Sequence, residues 1–295
     1  MVFCLFYKDG DNMNKNRINL SLEQILEAKK NSNSAAEAAR YLGVSPQTFA
    51  RRSKELGVYE TNQGLKGTKK PKNTNIDFRK YSCNDFVFSE LTPEGAYWLG
   101  FIAADGCIRE EKNCICVVLK REDKGHLEKL KKFLKFDGKI FDRVRVVNEI
   151  EYPISELTFF SKDIVKDFVV KYNITKRKSY KKINTVDLIS EELILYFIIG
   201  FFDGDGNISK LDGVSSITSR DRYIIYFIQK FLEENYSIKS SVSFRNKKNV
   251  YSLSIHTKEN VYKFIKLYLS VSNIVSLLER KQKIAEKYLR YNGLS

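Results

Sequence analysis

The chain has 295 residues, 43% of them hydrophobic, which is long enough for two or three domains with sizeable cores and too apolar for a disordered tail. It carries 51 Lys and Arg against 36 Asp and Glu, a formal net charge of +15, and an excess of that size points to a polyanionic partner, nucleic acid first. Two histidines and five scattered cysteines without a CxxC pair argue against a zinc site or a disulfide framework, and no apolar run reaches the length of about 20 residues that spans a membrane.

The first stretch, "MVFCLFYKDGDN", lacks the basic start and long apolar core of a signal peptide, so an intracellular, reducing setting is expected. Residues 18–58 read as a small helical module. "NLSLEQILEAKK" places Leu22, Ile25 and Leu26 at helical spacing, and "SAAEAARYLG" reads as a second helix ending at Gly43. Ser45 then caps a third helix with Pro46 at its first position. Ala39, Gly43 and Phe49 supply a small contact residue, a turn glycine and a core residue at the spacing of a helix-turn-helix, and the module resembles that DNA-binding family. The resemblance implies that Gln47, Thr48, Arg51 and Arg52 lie on a recognition helix and face DNA. Residues 59–90, Gly-, Asn- and Lys-rich over "ETNQGLKGTKKPKNTN", read as a flexible basic linker.

Residues 91–190 and 191–295 then form an internal repeat. "YWLGFIAADGCI" and "YFIIGFFDGDGNI" are hydrophobic runs of helical length that end in carboxylates, and Asp105 and Asp205 stand 100 residues apart. "VVLKREDKGHLEKLKKFL" matches "SSITSRDRYIIYFIQKFL", and "LTFFSKDIVKDFV" matches "LSIHTKENVYKFI". Each copy therefore reads helix–strand–strand–helix–strand–strand–helix, and the expected class is α+β, a tandem pair packed as a pseudo-dimer. Cys114 and Cys116 share one face of an alternating strand, "NCICVVL".

The acids are in an unfavourable place. A helix C-terminus carries partial negative charge, so Asp105, Asp203 and Asp205 meet the wrong end of the backbone dipole. Gly100 and Gly200 fall inside their helices, where glycine costs about 1 kcal/mol relative to alanine, so a close approach of two backbones is expected there. Packing the two helices side by side would bring Asp105 and Asp205 together. Their mutual repulsion, added to that of the helix ends, is answered by hard divalent cations with oxygen ligands, Mg²⁺ above all.

"WLGFIAADG" and "IIGFFDGDG" resemble the two motifs of a single-chain LAGLIDADG homing endonuclease, over residues 91–295. The resemblance implies a pseudo-twofold pair of αββαββα units whose two sheets form a saddle over double-stranded DNA at a long, near-asymmetric site. It implies that Asp105 and Asp205 hold catalytic Mg²⁺ or Mn²⁺ ions and that the chain, acting as a monomer, makes a staggered double-strand break. Ala103 departs from the family pattern, which has an acid at that position. The family also places a basic residue near each scissile phosphate. Lys178 and Lys281 fit that role, 73 residues after Asp105 and 76 after Asp205. Two alternatives of the same fold are a non-catalytic DNA-binding regulator and a maturase that binds intron RNA. Without an intein-like terminal His-Asn, the chain reads as a free-standing or intron-encoded enzyme of a bacterial or phage-infected cell, or of an organelle.

Strand parity gives the candidate base-reading residues. Ile108 and Ile208 are apolar and expected to point inward, so Cys107, Arg109 and Glu111, and Asn207 and Ser209, point the other way. "DRVRVV" puts Arg143 and Arg145 on one face, and "SVSFRN" does the same for Ser241, Ser243 and Arg245. Arginine pairs well with guanine edges in the major groove.

Overall fold

The computed structural model describes residues 20–32, 34–59, 79–175 and 184–292. The chain divides into two compact units, Met1–Asp77 and Phe78–Ser295.

In the first unit three short helices, α1 (Leu22–Lys30), α2 (Ala35–Tyr41) and α3 (Pro46–Glu55), enclose a small core. Each begins on a serine whose hydroxyl accepts a backbone N–H of the first turn: Ser21 from Gln24, Ser34 from Glu37 and Ser45 from Thr48. Gly43 takes a φ of 65° in the turn between α2 and α3, a conformation that favours glycine. Ala39 and Phe49 are buried with Leu20, Ile25, Ala28 and Ala38. Leu22 and Leu26 are not part of this core; they are 42% and 47% exposed. A core this small takes one stripe of α1, through Ile25 and Ala28, and the leucines on either side stay in solvent.

The second unit holds the repeat. Its first copy runs α4 (Pro93–Asp105), β1 (Gly106–Arg109), β2 (Cys114–Lys120), α5 (Lys124–Phe133), β3 (Phe141–Val147), β4 (Ile150–Phe160) and α6 (Lys162–Lys166), which continues into a wider turn over Asp167–Lys171. The second copy runs α7 (Glu191–Asp205), β5 (Gly206–Ile208), β6 (Ser215–Ser219), α8 (Arg222–Tyr236), β7 (Ser241–Arg245), β8 (Val250–Ile255) and α9 (Lys258–Ser270). A further helix, α10 (Glu279–Asn292), extends the second copy beyond the seven elements of the repeat. The sheets are antiparallel and equivalent, in the orders β1-β2-β4-β3 and β5-β6-β8-β7.

The helices pack against one face of each sheet. Along β4, Ser155, Leu157 and Phe159 are buried beneath them, and along β8 Leu253 and Ile255 are. Ile108 and Ile208 point into the same core, as strand parity requires. Gly95 to Ala103 of α4 are buried without interruption, and so are Phe197 to Asp203 of α7. Helices apolar all round belong in an interior, and these two form the spine of the unit.

The expected linker over 59–90 is shortened by this fold. Phe88 is fully buried against the rings of Phe133 and Phe168, at 5.6 and 4.9 Å between centroids. The Arg79 guanidinium grips Asp85 at 2.6 and 2.8 Å and donates to the Phe160 carbonyl. Residues 79–90 are part of the repeat unit because an aromatic side chain and an ion pair hold them there.

Candidate active site

The site begins with two glycines. A Cβ placed on Gly100 would lie 2.0 Å from the Phe197 carbonyl oxygen, and one placed on Gly200 would lie 1.9 Å from that of Tyr97. The contact is reciprocal, glycine against the carbonyl three residues before the opposite glycine, and it satisfies the expectation of a close approach. One turn further on, a Cβ on Gly204 would strike the Ala104 Cβ at 2.4 Å and come within 3.5 Å of the Asp105 carboxyl carbon. The seam therefore sets Asp105 beside the last turn of α7, which ends in Asp205. Asp105 is exposed and Asp205 half-buried.

Among the described residues no cluster of three or more His, Cys, Asp or Glu side chains is positioned to hold a metal ion. What the seam offers is a pair of hard carboxylates open to solvent, reinforced by the negative ends of two helices. That donor set suits Mg²⁺, which keeps waters and substrate phosphate oxygens in its sphere and takes one or two carboxylates from the protein.

Behind the acids lies a buried polar cluster. Lys281, in the first turn of α10, is 2% exposed, and its ammonium donates to the carbonyl oxygens of Phe202 and Asp203 at 2.5 and 2.8 Å. It thereby satisfies carbonyls of α7's last turn and sets a positive charge at the negative end of the dipole. Burial lowers its pKa to about 8, against the pull of Asp203, Asp105 and Asp205, whose fields all reach it. Asp203 is buried and accepts three hydrogen bonds, from Tyr97 Oη at 2.6 Å, Tyr268 Oη at 2.9 Å and the Leu278 N–H at 2.9 Å. Burial raises its pKa, while the Lys281 charge and the three donors oppose that shift.

Tyr97 has one hydroxyl proton and gives it to Asp203, so His126 Nε2, 3.1 Å from Tyr97 Oη, must be the donor to that oxygen. His126 Nδ1 has no hydrogen-bond partner in the protein. A bare Nδ1 is what a neutral Nε2–H tautomer leaves, and burial holds the imidazole pKa down at about 3.

Asp203, Tyr97, Tyr268 and His126 carry no assignment in the sequence reading. Asp203 was visible there as an acid at the end of α7. Its partners come from 65, 75 and 106 residues away, a distance no local pattern spans.

The other candidates divide as follows. Arg109 on β1, Arg143 and Arg145 on β3, Asn207 on β5, and Ser243 and Arg245 on β7 are exposed, on the sheet faces opposite the helices. Arg143 is 3.5 Å from Glu156 on the neighbouring strand. Glu111 sits in the turn between β1 and β2, and Ser209 lies beyond the end of β5, its hydroxyl donating to Asp212. Neither keeps the strand parity expected of it, because β1 stops two residues before Glu111 and β5 one residue before Ser209. In the helical module Gln47 and Arg51 are exposed one turn apart on α3. Thr48 is bonded to Ser45, and Arg52 is half-buried, donating to the Leu20 carbonyl at 2.9 Å and to Glu55 at 3.0 Å. Arg52 is therefore a tie within the module rather than an outward-facing residue. Lys178 lies outside the described residues.

A family model for a LAGLIDADG-like domain matches residues 192–268, from the first turn of α7 into α9. A curated relative, the replication factor C small subunit of Methanocaldococcus jannaschii, is 24% identical over 200 residues, covering 67% of this chain and 10% of the relative. The chain thus spans a tenth of that protein's length. Similar solved structures include full-length DUF199/WhiA from Thermatoga maritima, at 14% identity and a TM-score of 0.43, covering 72% of this chain and 66% of that one. Mesophilic variants of the homing endonuclease I-DmoI, and I-DmoI in complex with DNA and Ca, each match at 19% identity and a TM-score of 0.47, covering 69% of this chain and 99% of theirs. With two copies of one strand order, two motif helices sharing a glycine seam, and the second copy matched by the family model, the chain is a LAGLIDADG-fold protein.

Proposed function

We propose that the chain is a site-specific DNA endonuclease that makes a staggered double-strand break with Mg²⁺ or Mn²⁺, acting as a monomer. The observation that carries this reading is the pair of motif acids, Asp105 and Asp205, at one end of a tight helix seam. The net charge of +15 supplies the attraction for a polyanion. Asp105 and Asp205 would hold the divalent ions, one acid per strand cut. When bound, such ions neutralise the phosphate and lower the pKa of an attacking water.

The chain's own residues do the rest. Lys281, fixed by two carbonyls and mostly protonated at neutral pH, sets a positive charge behind the acids, where negative charge grows as the phosphodiester is attacked. Lys178 is proposed as its counterpart for the first repeat. The open sheet faces position the duplex through Arg109, Arg143, Arg145, Asn207, Ser243 and Arg245. Gln47 and Arg51 in the helical module add contacts over a longer site.

Asp105→Asn and Asp205→Asn should each abolish cutting of at least one strand of a target plasmid with Mg²⁺ and leave DNA binding largely intact. Full double-strand cutting by the protein carrying both substitutions would sink the reading.

A further inference from the structure

The two open sheet faces share a strand order but not a chemistry. In the first sheet, register from the buried residues puts Arg109, Lys120, Arg143, Arg145 and Glu156 on the open face. In the second sheet the open face has one charged strand residue, Arg245. Beside Arg245 stands Val250, and the rest is mostly hydroxyls, in two rows. Ser216, Ser254 and Ser241 stand opposite one another across three strands, with Asn207 extending the row to the fourth, and Thr218, Ser252 and Ser243 form the next. Ser252, at the centre, is fully buried beneath its neighbours, so the hydroxyls this face offers are those of Ser241 and Ser243, which are exposed, and of Ser216, Thr218 and Ser254, which are half-buried.

These faces recognise base edges differently. A guanidinium forks onto guanine O6 and N7 and finds no equivalent pair on the other bases, while a glutamate accepts from cytosine N4. A hydroxyl both donates and accepts and turns to suit, so it pairs with any edge. Glu156 beside Arg143 also restrains that guanidinium, which sharpens the geometry a base must meet.

We infer that the two halves of the target are read with unequal stringency. The half against the sheet of residues 106–160 is specified, with guanines opposite Arg143 and Arg145. The half against the sheet of residues 206–255 is accepted permissively through its carpet of hydroxyls. The inference rests on the reading of the open faces as a DNA interface.

Selection of bound duplexes from a randomised DNA library by the full chain in Ca²⁺, followed by sequencing, tests it. One half-site should show G·C preferences at several positions, with replacement of a preferred guanine weakening binding by roughly 5- to 100-fold, and the other half should be nearly flat. Arg145→Gln, at an exposed position, should erase a preference within the specified half. Ser241→Arg, exposed on an edge strand, should create a guanine preference in the flat half. Equal preference in both halves, or a profile unmoved by Arg145→Gln, overturns the inference and leaves the DNA interface standing. Recovery of no DNA at all removes the interface and the inference together.

Discussion

The helices α4 and α7 meet as equals and end as opposites. Their seam is symmetric to a tenth of an ångström, Gly100 against the Phe197 carbonyl and Gly200 against that of Tyr97. Three residues later the first helix has Ala103, buried and apolar, where the second has Asp203, buried and bonded to two tyrosines and a backbone N–H. The backbone contact is imposed on both copies, because two helices at this distance leave no room for a side chain on either one. The polar support is needed only once. It joins the copies, since Tyr97 and His126 come from the first and Tyr268, Leu278 and Lys281 from the second. A symmetric fold thus holds one end of its site with an asymmetric brace.

The most damaging way to probe the symmetric part is to fill the seam. Gly100→Ala and Gly200→Ala should each cost more than about 4 kcal/mol, because the intruding Cβ meets a backbone carbonyl that cannot retreat without separating the helices. Gly125→Ala, with nothing within 4 Å of its Cβ, should gain up to about 1 kcal/mol. Urea unfolding reads all three. A large gap between the two seam variants would show that the packing is less reciprocal than the distances say.

The asymmetric part has a smaller effect. Asp203→Ala strips the acceptor from two buried hydroxyls and an N–H and leaves Lys281 without its nearest counter-charge, a loss of about 3–5 kcal/mol. Removing the lysine as well, in an Asp203→Ala, Lys281→Leu protein, should cost about 1–3 kcal/mol less than the sum of the single losses, because the two charges compensate each other. Additive losses in a double-mutant cycle would mean that Asp203 and Lys281 support the site independently.

Much of this was legible in the sequence, for reasons particular residues make plain. Glycine at positions 100 and 200, inside apolar helices, had to mean close backbones, and they do approach. Isoleucine at 108 and 208 fixed which strand face was buried, which put Arg143 and Arg145 on the open one. Two things were hidden. Linker and fold share the same composition until Phe88 and Arg79 find partners in α5, the wider turn after α6, and β4. Arg52 reads like Arg51 on a helical wheel, yet its guanidinium turns back to the Leu20 carbonyl. Lys281 was visible as a basic residue 76 residues after Asp205. Its burial was not, because that depends on α10 folding across the end of α7.

The smallest effect concerns His126, the outermost member of the brace. Its ring is packed among Trp98, Phe101 and Tyr97, with centroids 4.8, 4.7 and 6.0 Å away. Burial, helped by the positive fields of Lys129 and Lys281, lowers its pKa to about 3, from an ordinary value near 6.5. Between those two values the unfolded chain takes up a proton that the folded one refuses. Stability contributed by the neutral ring is therefore present above pH 6.5 and drains away as the pH falls, at up to about 1.4 kcal/mol per pH unit. His126→Phe keeps an aromatic ring in the box and forfeits only the bond to Tyr97, whose own proton still goes to Asp203. At pH 7 it should cost about 1 kcal/mol. Between pH 6.5 and 4.5 its stability should fall less steeply than that of the parent, by close to one proton in the slope. Urea unfolding at half-unit steps of pH gives both slopes, and subtraction removes the carboxylates common to the two proteins. Parallel slopes would mean that the folded protein protonates His126 as readily as the unfolded one. The brace would then end in an imidazolium, and the hydrogen bonds from His126 through Tyr97 to Asp203 would have to be assigned anew.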